Sequence, residues 1–260
     1  MKINKVTAVY FSATGGTKDY AKHLAQMFHK KYREINLADY NTRTRHFTFD
    51  ADELVVIAAP VYAGRLPAVD GGLFKNLDAH NSPAVFMVTY GNREYEDALL
   101  ELKNECEKRG FHAVGAAAVV APHSFSVKIA AGRPDEADIT ALSDFADKVK
   151  ETLEADDFLT KFIKVNGTLP YREHSKIPFA PKGGGKCDSC GTCVKICPVQ
   201  AIEKETPRVT DAAKCIACYA CVKACPRHTR GMKSLAFWLA IKKMESKLTK
   251  IRKEPEFFYI

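Results

Sequence analysis

Apolar residues occur along this chain in short, nearly unbroken runs, each followed by a turn and then by a stretch with helical spacing. Residues 5–11 read Lys-Val-Thr-Ala-Val-Tyr-Phe and residues 54–59 Leu-Val-Val-Ile-Ala-Ala, with further runs at 84–89 and about 113–120 and a shorter candidate at 34–37. Runs without polar alternation predict strands buried on both faces of a parallel sheet. Between them, Tyr20, Ala21, Leu24, Ala25 and Phe28 trace one helical face up to about Lys31. An amphipathic helix is expected over about 94–108, and Pro134 begins another that runs to about residue 155. Alternating strands and helices predict an α/β doubly wound fold with five parallel strands, whose ligands bind beyond the carboxyl ends of the strands.

The loops at those carboxyl ends carry the first candidate chemistry. Ser12-Ala13-Thr14-Gly15-Gly16-Thr17 follows the first run and precedes a helix, so its backbone N–H groups and hydroxyls form a phosphate cradle with the helix dipole behind them. An ordinary turn with a helix cap is the alternative. The loop is neither the G-x-G-x-x-G of dinucleotide folds nor a Walker loop. It resembles the S-x-T-G-x-T loop of flavodoxins at Ser12, Thr14, Gly15 and Thr17. That resemblance implies strand order 2-1-3-4-5 and an FMN whose phosphate is held by Ser12, Thr14, Gly15, Gly16 and Thr17. It further implies that the flavin ring is flanked by Pro60, Val61, Tyr62, Ala63 and Gly64 on one loop and by Thr89, Tyr90, Gly91 and Asn92 on another. Tyr62 or Tyr90 is expected to stack on the ring, or to serve only as a loop anchor.

A different pattern begins at Cys187. Cys187, Cys190, Cys193, Cys197 and Pro198, then Cys215, Cys218, Cys221, Cys225 and Pro226, both read C-x2-C-x2-C-x3-C-P. Thiolates at this spacing wrap an iron–sulfur cube. Two zinc ions or disulfides are the alternatives; zinc sites usually pair C-x2-C units across longer loops, and disulfides need an oxidising compartment. The pattern resembles bacterial two-cluster ferredoxins, although Pro226-Arg227-His228-Thr229-Arg230 departs from the usual exit of such a loop, so the chain is expected to leave the second copy in its own way. Spacing together with that resemblance implies two [4Fe-4S] clusters with crossed ligands. Cluster one takes Cys187, Cys190, Cys193 and Cys225, and cluster two takes Cys215, Cys218, Cys221 and Cys197.

Length and charge complete the outline. The cysteine module needs only about residues 184–230 of 260, which leaves 1–155 for the α/β domain. Residues 156–183 read as a linker containing Pro170, Pro178 and Pro181, and 231–260 as a basic helical tail. From Arg227 to Lys253 nine Lys/Arg stand against Glu245 alone, so that segment holds the whole formal charge of +8. Two clusters at about −2 each and a flavin phosphate at about −1.5 to −2 would bring the loaded protein to about +2, so nucleic acid is not expected as a partner. In the tail, Met232, Leu235, Trp238 and Leu239 are expected to pack on the body while Lys243, Lys247 and Lys250 face solvent or an acidic partner. No run reaches the 18 or so apolar residues of a membrane span and residues 1–11 lack the features of a signal peptide, so the protein is expected in the cytoplasm, where eight of its nine cysteines suit cluster binding. Cys106 is expected as a small buried hydrophobe, and His123, His174 and His228 as loop or surface histidines. No catalytic triad or carboxylate pair is present.

Taken whole, the chain resembles the flavodoxin–ferredoxin fusion proteins of the EFR1 type. The resemblance implies electron transfer between two clusters and FMN, coupling one-electron and two-electron redox partner proteins. An electron carrier with no small substrate of its own is the alternative.

Overall fold

The computed structural model describes residues 3–155, 157–175 and 177–260. Met1 and Lys2 of the start read as lacking a signal peptide, and Asp156 and Lys176 of the expected linker, lie outside the described residues.

Each apolar run becomes a strand of one sheet. β1 (Lys5–Tyr10), β2 (Arg33–Asn36), β4 (Glu53–Pro60), β6 (Ser82–Tyr90) and β7 (Phe111–Val120) lie parallel in the order β2-β1-β4-β6-β7. Two short strands, β3 (Phe47–Phe49) and β5 (Leu77–Ala79), pair apart from this sheet. Counting main-sheet strands in chain order gives 2-1-3-4-5, the flavodoxin-like arrangement. Successive side chains point to opposite faces, and both faces are covered, which is why the strands read as continuous apolar runs. Val9, Val55, Ile57, Phe86 and Val88 belong to one core, with Leu99, Leu102 and Cys106 of α3 (Ala98–Glu107). Ala8, Val56, Val85 and Met87 belong to the other, with Leu24 of α1 (Gly16–Phe28) and Phe145 and Val149 of α4 (Glu136–Glu154). Gly115 lets α4 sit close, since a Cβ there would lie 2.8 Å from Val149 Cγ2 and 2.9 Å from Phe145 Cζ. Cys106 is fully buried, as expected.

The expected 94–108 helix begins only at Ala98, because the preceding residues turn through Glu96 at φ 47°. A four-residue helix, α2 (Tyr40–Arg43), is capped by Asp39, whose side chain accepts the Thr42 N–H. Its Arg43 is buried and donates to the carbonyls of Leu37 (2.6 Å) and Pro198 (2.5 Å), tying the α/β region to the first cysteine repeat. The linker is pinned rather than free: Asp97 accepts from the Thr168 N–H at 2.9 Å and the Arg172 N–H at 2.8 Å. Buried Asp97 thus replaces the water that those amides would otherwise need.

The tail departs from expectation in two ways. After α5 (Thr192–Lys195) and α6 (Ala220–Lys223), the chain forms α7 (Leu235–Leu248) and then β8 (Glu256–Phe258), which joins β7 antiparallel as a sixth strand. Alternation sends Phe257 to stack on Phe145 at 4.8 Å while Phe258 packs on the opposite core. On α7 the buried residue is Phe237, packed on Phe125, Phe179 and Tyr219. Leu235, Trp238 and Leu239, expected inside, are 72%, 54% and 53% exposed. Phe237 lies on another face of the helix, which it shares with half-buried Ile241, Met244 and Leu248, and that face is the one that docks. Among the described residues no helix is long and apolar enough to cross a membrane.

Candidate functional site

Four loops at the carboxyl ends of β1, β4, β6 and β7 enclose a cleft of about 670 Å³ including its open mouth. Gly15, at φ 106°, turns the chain into α1, and Gly16 leaves room for Ala121, whose Cβ is 3.0 Å from where a Gly16 Cβ would be. Thr17 Oγ1 and Thr89 Oγ1 are 2.6 Å apart, and Thr14 Oγ1 and Ser124 Oγ 3.3 Å apart, so hydroxyls stitch three loops together. Ser12 Oγ accepts the Lys18 N–H at 3.1 Å and stands outside the cleft as a cap. The first-turn N–H groups of α1 have no acceptor within their own helix. With Thr14, Gly16, Thr17 and Ser124 on the wall and no Lys, Arg, Asp or Glu among the described residues lining it, these loops offer an anion a cradle of N–H and O–H donors.

The rest of the wall is apolar and aromatic, the surface a planar ring requires. Val61, Tyr62, His123, Phe125, Ile177 and Ile216 line it. Both tyrosines expected against a ring line the cleft; Tyr90 is 3% exposed, and its own ring packs on Tyr95 at 5.5 Å. The Tyr62 hydroxyl is held well above its usual pKa by burial and by Cys218 and Cys215 nearby. Gly64 and Asn92, expected beside the flavin, do not line the cleft. Gly64 has φ 84° and makes space for Glu96, whose Oε2 would sit 1.6 Å from an added Cβ. Asn92 instead grips the tail: its Nδ2 donates to Leu248 O (2.9 Å) and Ile251 O (2.7 Å), and its Oδ1 accepts the Lys253 N–H (3.2 Å).

His123, expected as a loop histidine, is part of the wall and packs so near Gly91 that a Cβ there would meet its Cδ2 at 2.4 Å. Burial, with Lys223 and Arg93 nearby, brings its pKa down to about 4. Its Nδ1 accepts the Phe125 N–H at 3.1 Å, so the proton of the neutral ring sits on Nε2. Because the folded pKa lies below the unfolded value near 6.5, the stability this ring contributes is present above about pH 6.5 and is lost as pH falls toward 4. The His123 C2–H proton resonance should therefore titrate near pH 4, and titration near 6.5 would place the ring in solvent. The loop gave one signal in sequence, its position after the fifth strand.

The cysteines gather in two nests, each drawing on both repeats. Cys187, Cys190, Cys193 and Cys225 line one small cavity. Cys197 lies with Cys215, Cys218 and Cys221, raising their pKa values electrostatically, and burial pushes the Cys218 thiol up to about 12. Metal uptake by this nest must therefore release protons. Donors already face the sulfurs: the Ala201 N–H points at Cys197 Sγ (3.2 Å) and the Ala217 N–H at Cys215 Sγ (3.4 Å). At Cys225 burial raises the pKa, but N–H groups of Thr229, Arg227, Arg230 and His228 outweigh it and hold the thiol below its ordinary value. A cavity ringed by four sulfurs with N–H donors behind them suits a sulfide-rich cube.

The two repeats share one backbone. Left-handed residues recur at Ser189 and Ala217, at Gly191 and Tyr219, and at Gln200 and His228. The exit after Cys225, expected to go its own way, thus makes the same turn as the first: the His228 N–H donates to Cys225 O (3.0 Å) as Gln200 donates to Cys197 O (3.2 Å). Only beyond it do the paths diverge, because the second copy must lead into α7. Ile216 and Ala217, lying between Cys215 and Cys218, also line the sheet-end cleft, so the second nest borders it. A contact missed in sequence is Arg230, buried against Cys193 Sγ at 3.7 Å.

A family profile described as "4Fe-4S dicluster domain" matches residues 186–230. No curated protein matches the sequence. Solved structures similar to the chain include an archaeal flavodoxin (TM-score 0.38, 14% identity, 56% of this chain and 99% of that one). Oxidised Flavodoxin 2 from Bacillus cereus gives a TM-score of 0.41 at 16% identity, over 56% of this chain and 98% of that one. Two-electron reduced Megasphaera elsdenii flavodoxin gives 0.37 at 16%, over 56% and 98%. At these identities the likeness is one of fold, and the strand order carries the assignment. The chain joins a flavodoxin-like α/β region to a 4Fe-4S ferredoxin-type domain in one polypeptide.

Proposed function

We propose that this protein is a cytoplasmic iron–sulfur flavoprotein of the EFR1 type that passes electrons between two [4Fe-4S] clusters and one FMN. In this reading residues 1–155 hold the flavin, 156–183 link, 184–230 hold the clusters and 231–260 form the tail. The observation that carries it is the shared wall, in which residues between Cys215 and Cys218 line the same cleft as the phosphate-type loop. Cluster one would use Cys187, Cys190, Cys193 and Cys225, and cluster two Cys215, Cys218, Cys221 and Cys197. The grouping of the sulfurs supports this crossed set. Thr14, Gly16, Thr17 and Ser124 would hold the phosphate, with Gly15 shaping the turn, while Val61, Tyr62 and His123 would flank the ring. FMN accepts electrons singly or in pairs and a cluster only singly, so their juxtaposition couples one-electron and two-electron partners.

Protein reconstituted without oxygen should contain about eight iron, eight sulfide and one FMN. Two zinc and no sulfide would refute the cluster reading. Thr14→Glu should set a negative charge near the phosphate; at about 5 Å and an effective dielectric near 20, a phosphate charge of about −1.5 to −2 makes the cost roughly 5–7 kcal/mol, or more than about 1,000-fold in affinity. Fluorescence titration with FMN checks this, and iron content should stay unchanged.

A carrier role without a small substrate is favoured by one observation, the outward face of α7. Leu235, Trp238 and Leu239 are exposed there, and Lys242 lies 5.6 Å over the Trp238 ring. An acidic redox protein docking on this face would react more slowly as salt rises. Turnover of a small acceptor by the isolated protein distinguishes the enzyme from the carrier.

A further inference from the structure

One side chain on the cleft wall holds a hydrogen that no residue described here accepts. His123 Nδ1 accepts the Phe125 N–H at 3.1 Å, which leaves the proton of the neutral ring on Nε2. Two further contacts fix the ring: Phe125 packs on it at 5.4 Å between centroids, and Gly91 lies so close that an added Cβ would meet its Cδ2 at 2.4 Å. Among the described residues no acceptor is within hydrogen-bond distance of Nε2. The side-chain nitrogens and oxygens buried without a partner are Arg109 Nε and Arg230 Nε, so His123 Nε2, which is not one of them, reaches open space. The space that His123 borders is the cleft. Burial brings the pKa of the ring down to about 4 and so keeps it neutral near pH 7.

Around it Val61, Phe125, Ile177 and Ile216 make the wall largely apolar. Water satisfies Nε2–H while the cleft is open, but a planar ring that fills the cleft expels this water, and a stranded N–H is costly. Whatever ring binds must bring an acceptor to that point. Resting on the FMN reading above, we propose that His123 orients and tunes the flavin: its Nε2–H donates to a carbonyl oxygen of the ring, turning the polar edge of the flavin toward the loop after β7. A carbonyl is the acceptor because it projects from the ring edge in the plane of the ring. Reduction adds two electrons to the flavin and one proton from solvent, leaving one negative charge spread over the carbonyl end, while His123 keeps its own proton throughout. A hydrogen bond to a charged acceptor is roughly twice as strong as one to a neutral acceptor. His123 therefore holds reduced FMN more tightly than oxidised FMN and raises the flavin midpoint.

The test uses full-length protein loaded with iron, sulfide and FMN. A crystal structure of this form should place Nε2 about 2.7–3.2 Å from a flavin carbonyl oxygen. FMN in the cleft with Nε2 pointing elsewhere would overturn the proposal. A mediated electrochemical titration followed by flavin absorbance gives a second readout. His123→Phe keeps a flat ring on the wall but removes the donor, so it should weaken reduced FMN at least tenfold more than oxidised FMN, a fall of about 30 mV in the two-electron midpoint. His123→Gln, whose amide is again a donor, should recover most of that fall. An unchanged midpoint in the FMN-loaded Phe variant would also overturn the proposal, because a residue that merely packs affects both forms alike. Should the Phe variant retain no FMN, the wild-type crystal structure decides. Wild-type protein that takes up no FMN, or holds it outside this cleft, would refute the FMN reading itself, a result distinct from FMN in the cleft without the His123 contact.

Discussion

Cys197→Ala should remove the cluster bordering the flavin cleft, lowering iron from about eight to about four per chain while leaving the first nest's signals in place. Cys225→Ala should do the converse. The reason is topological: the Pro that follows each fourth cysteine turns the chain, so Cys197 lies among Cys215, Cys218 and Cys221, and Cys225 with Cys187, Cys190 and Cys193. The two variants should also differ toward the flavin. Ile216 and Ala217 line the cleft, so losing the second-nest cluster should slow flavin reduction through the clusters by more than tenfold. Losing the first-nest cluster should leave exchange between the flavin and its neighbour intact. Cys190 is exposed, so the first nest is open to solvent. Mössbauer spectra and stopped-flow flavin absorbance measure both effects. Loss of the first-nest signals in the Cys197 variant, with the second untouched, would mean that each repeat holds its own cluster.

Asn92→Ala should release the C-terminal strap. The change leaves the carbonyls of Leu248 and Ile251 and the N–H of Lys253 without their side-chain partners. Stranding such groups costs about 1–3 kcal/mol each where water cannot reach them, and Asn92 is 3% exposed, so a loss of about 3 kcal/mol is expected. For a chain of this size that is a fall of roughly 6–12 °C in melting temperature. Remaining ties, including Tyr95 OH to Glu256 at 2.6 Å and the Phe257–Phe145 stack, should keep β8 partly paired, so the tail should become protease-sensitive before the sheet melts. Unchanged proteolysis of residues 249–260 would assign the clamp to those contacts instead.

Much of this was legible in the chain itself. The runs at 5–11, 54–59 and 84–89 are apolar on both sides of the pleat but for Lys5, Thr7 and Thr89, because both faces of a parallel strand are covered. The cysteine repeats are equally explicit, since a cube demands thiolates at fixed local spacing. The Ser12–Thr17 turn was legible because a strand, a glycine at positive φ and a helix start are all local features. Even so, the loop's internal duties were hidden: Ser12 caps, Thr17 pairs with Thr89, and only part of the turn faces the cleft.

What the sequence by itself determined is whatever short-range spacing encodes: the five parallel strands, the helices between them and the two cysteine repeats. What only the tertiary structure decided depends on which distant residue arrives alongside. Asn92 became a clamp outside the lining of the cleft because the tail returns to it from 156 residues away. The three residues Glu256 to Phe258 are too few to display a period, and became a strand because β7 had a free edge. Phe237, rather than Leu235, Trp238 or Leu239, faces inward because Phe125, Phe179 and Tyr219 form its socket; α7 offers two apolar stripes, and the one with Phe237, Ile241, Met244 and Leu248 is the one that packs. Arg230 looked like one of nine basic residues from Arg227 to Lys253 until folding buried it against Cys193 Sγ, for charge is written in sequence but burial is set by what packs around it.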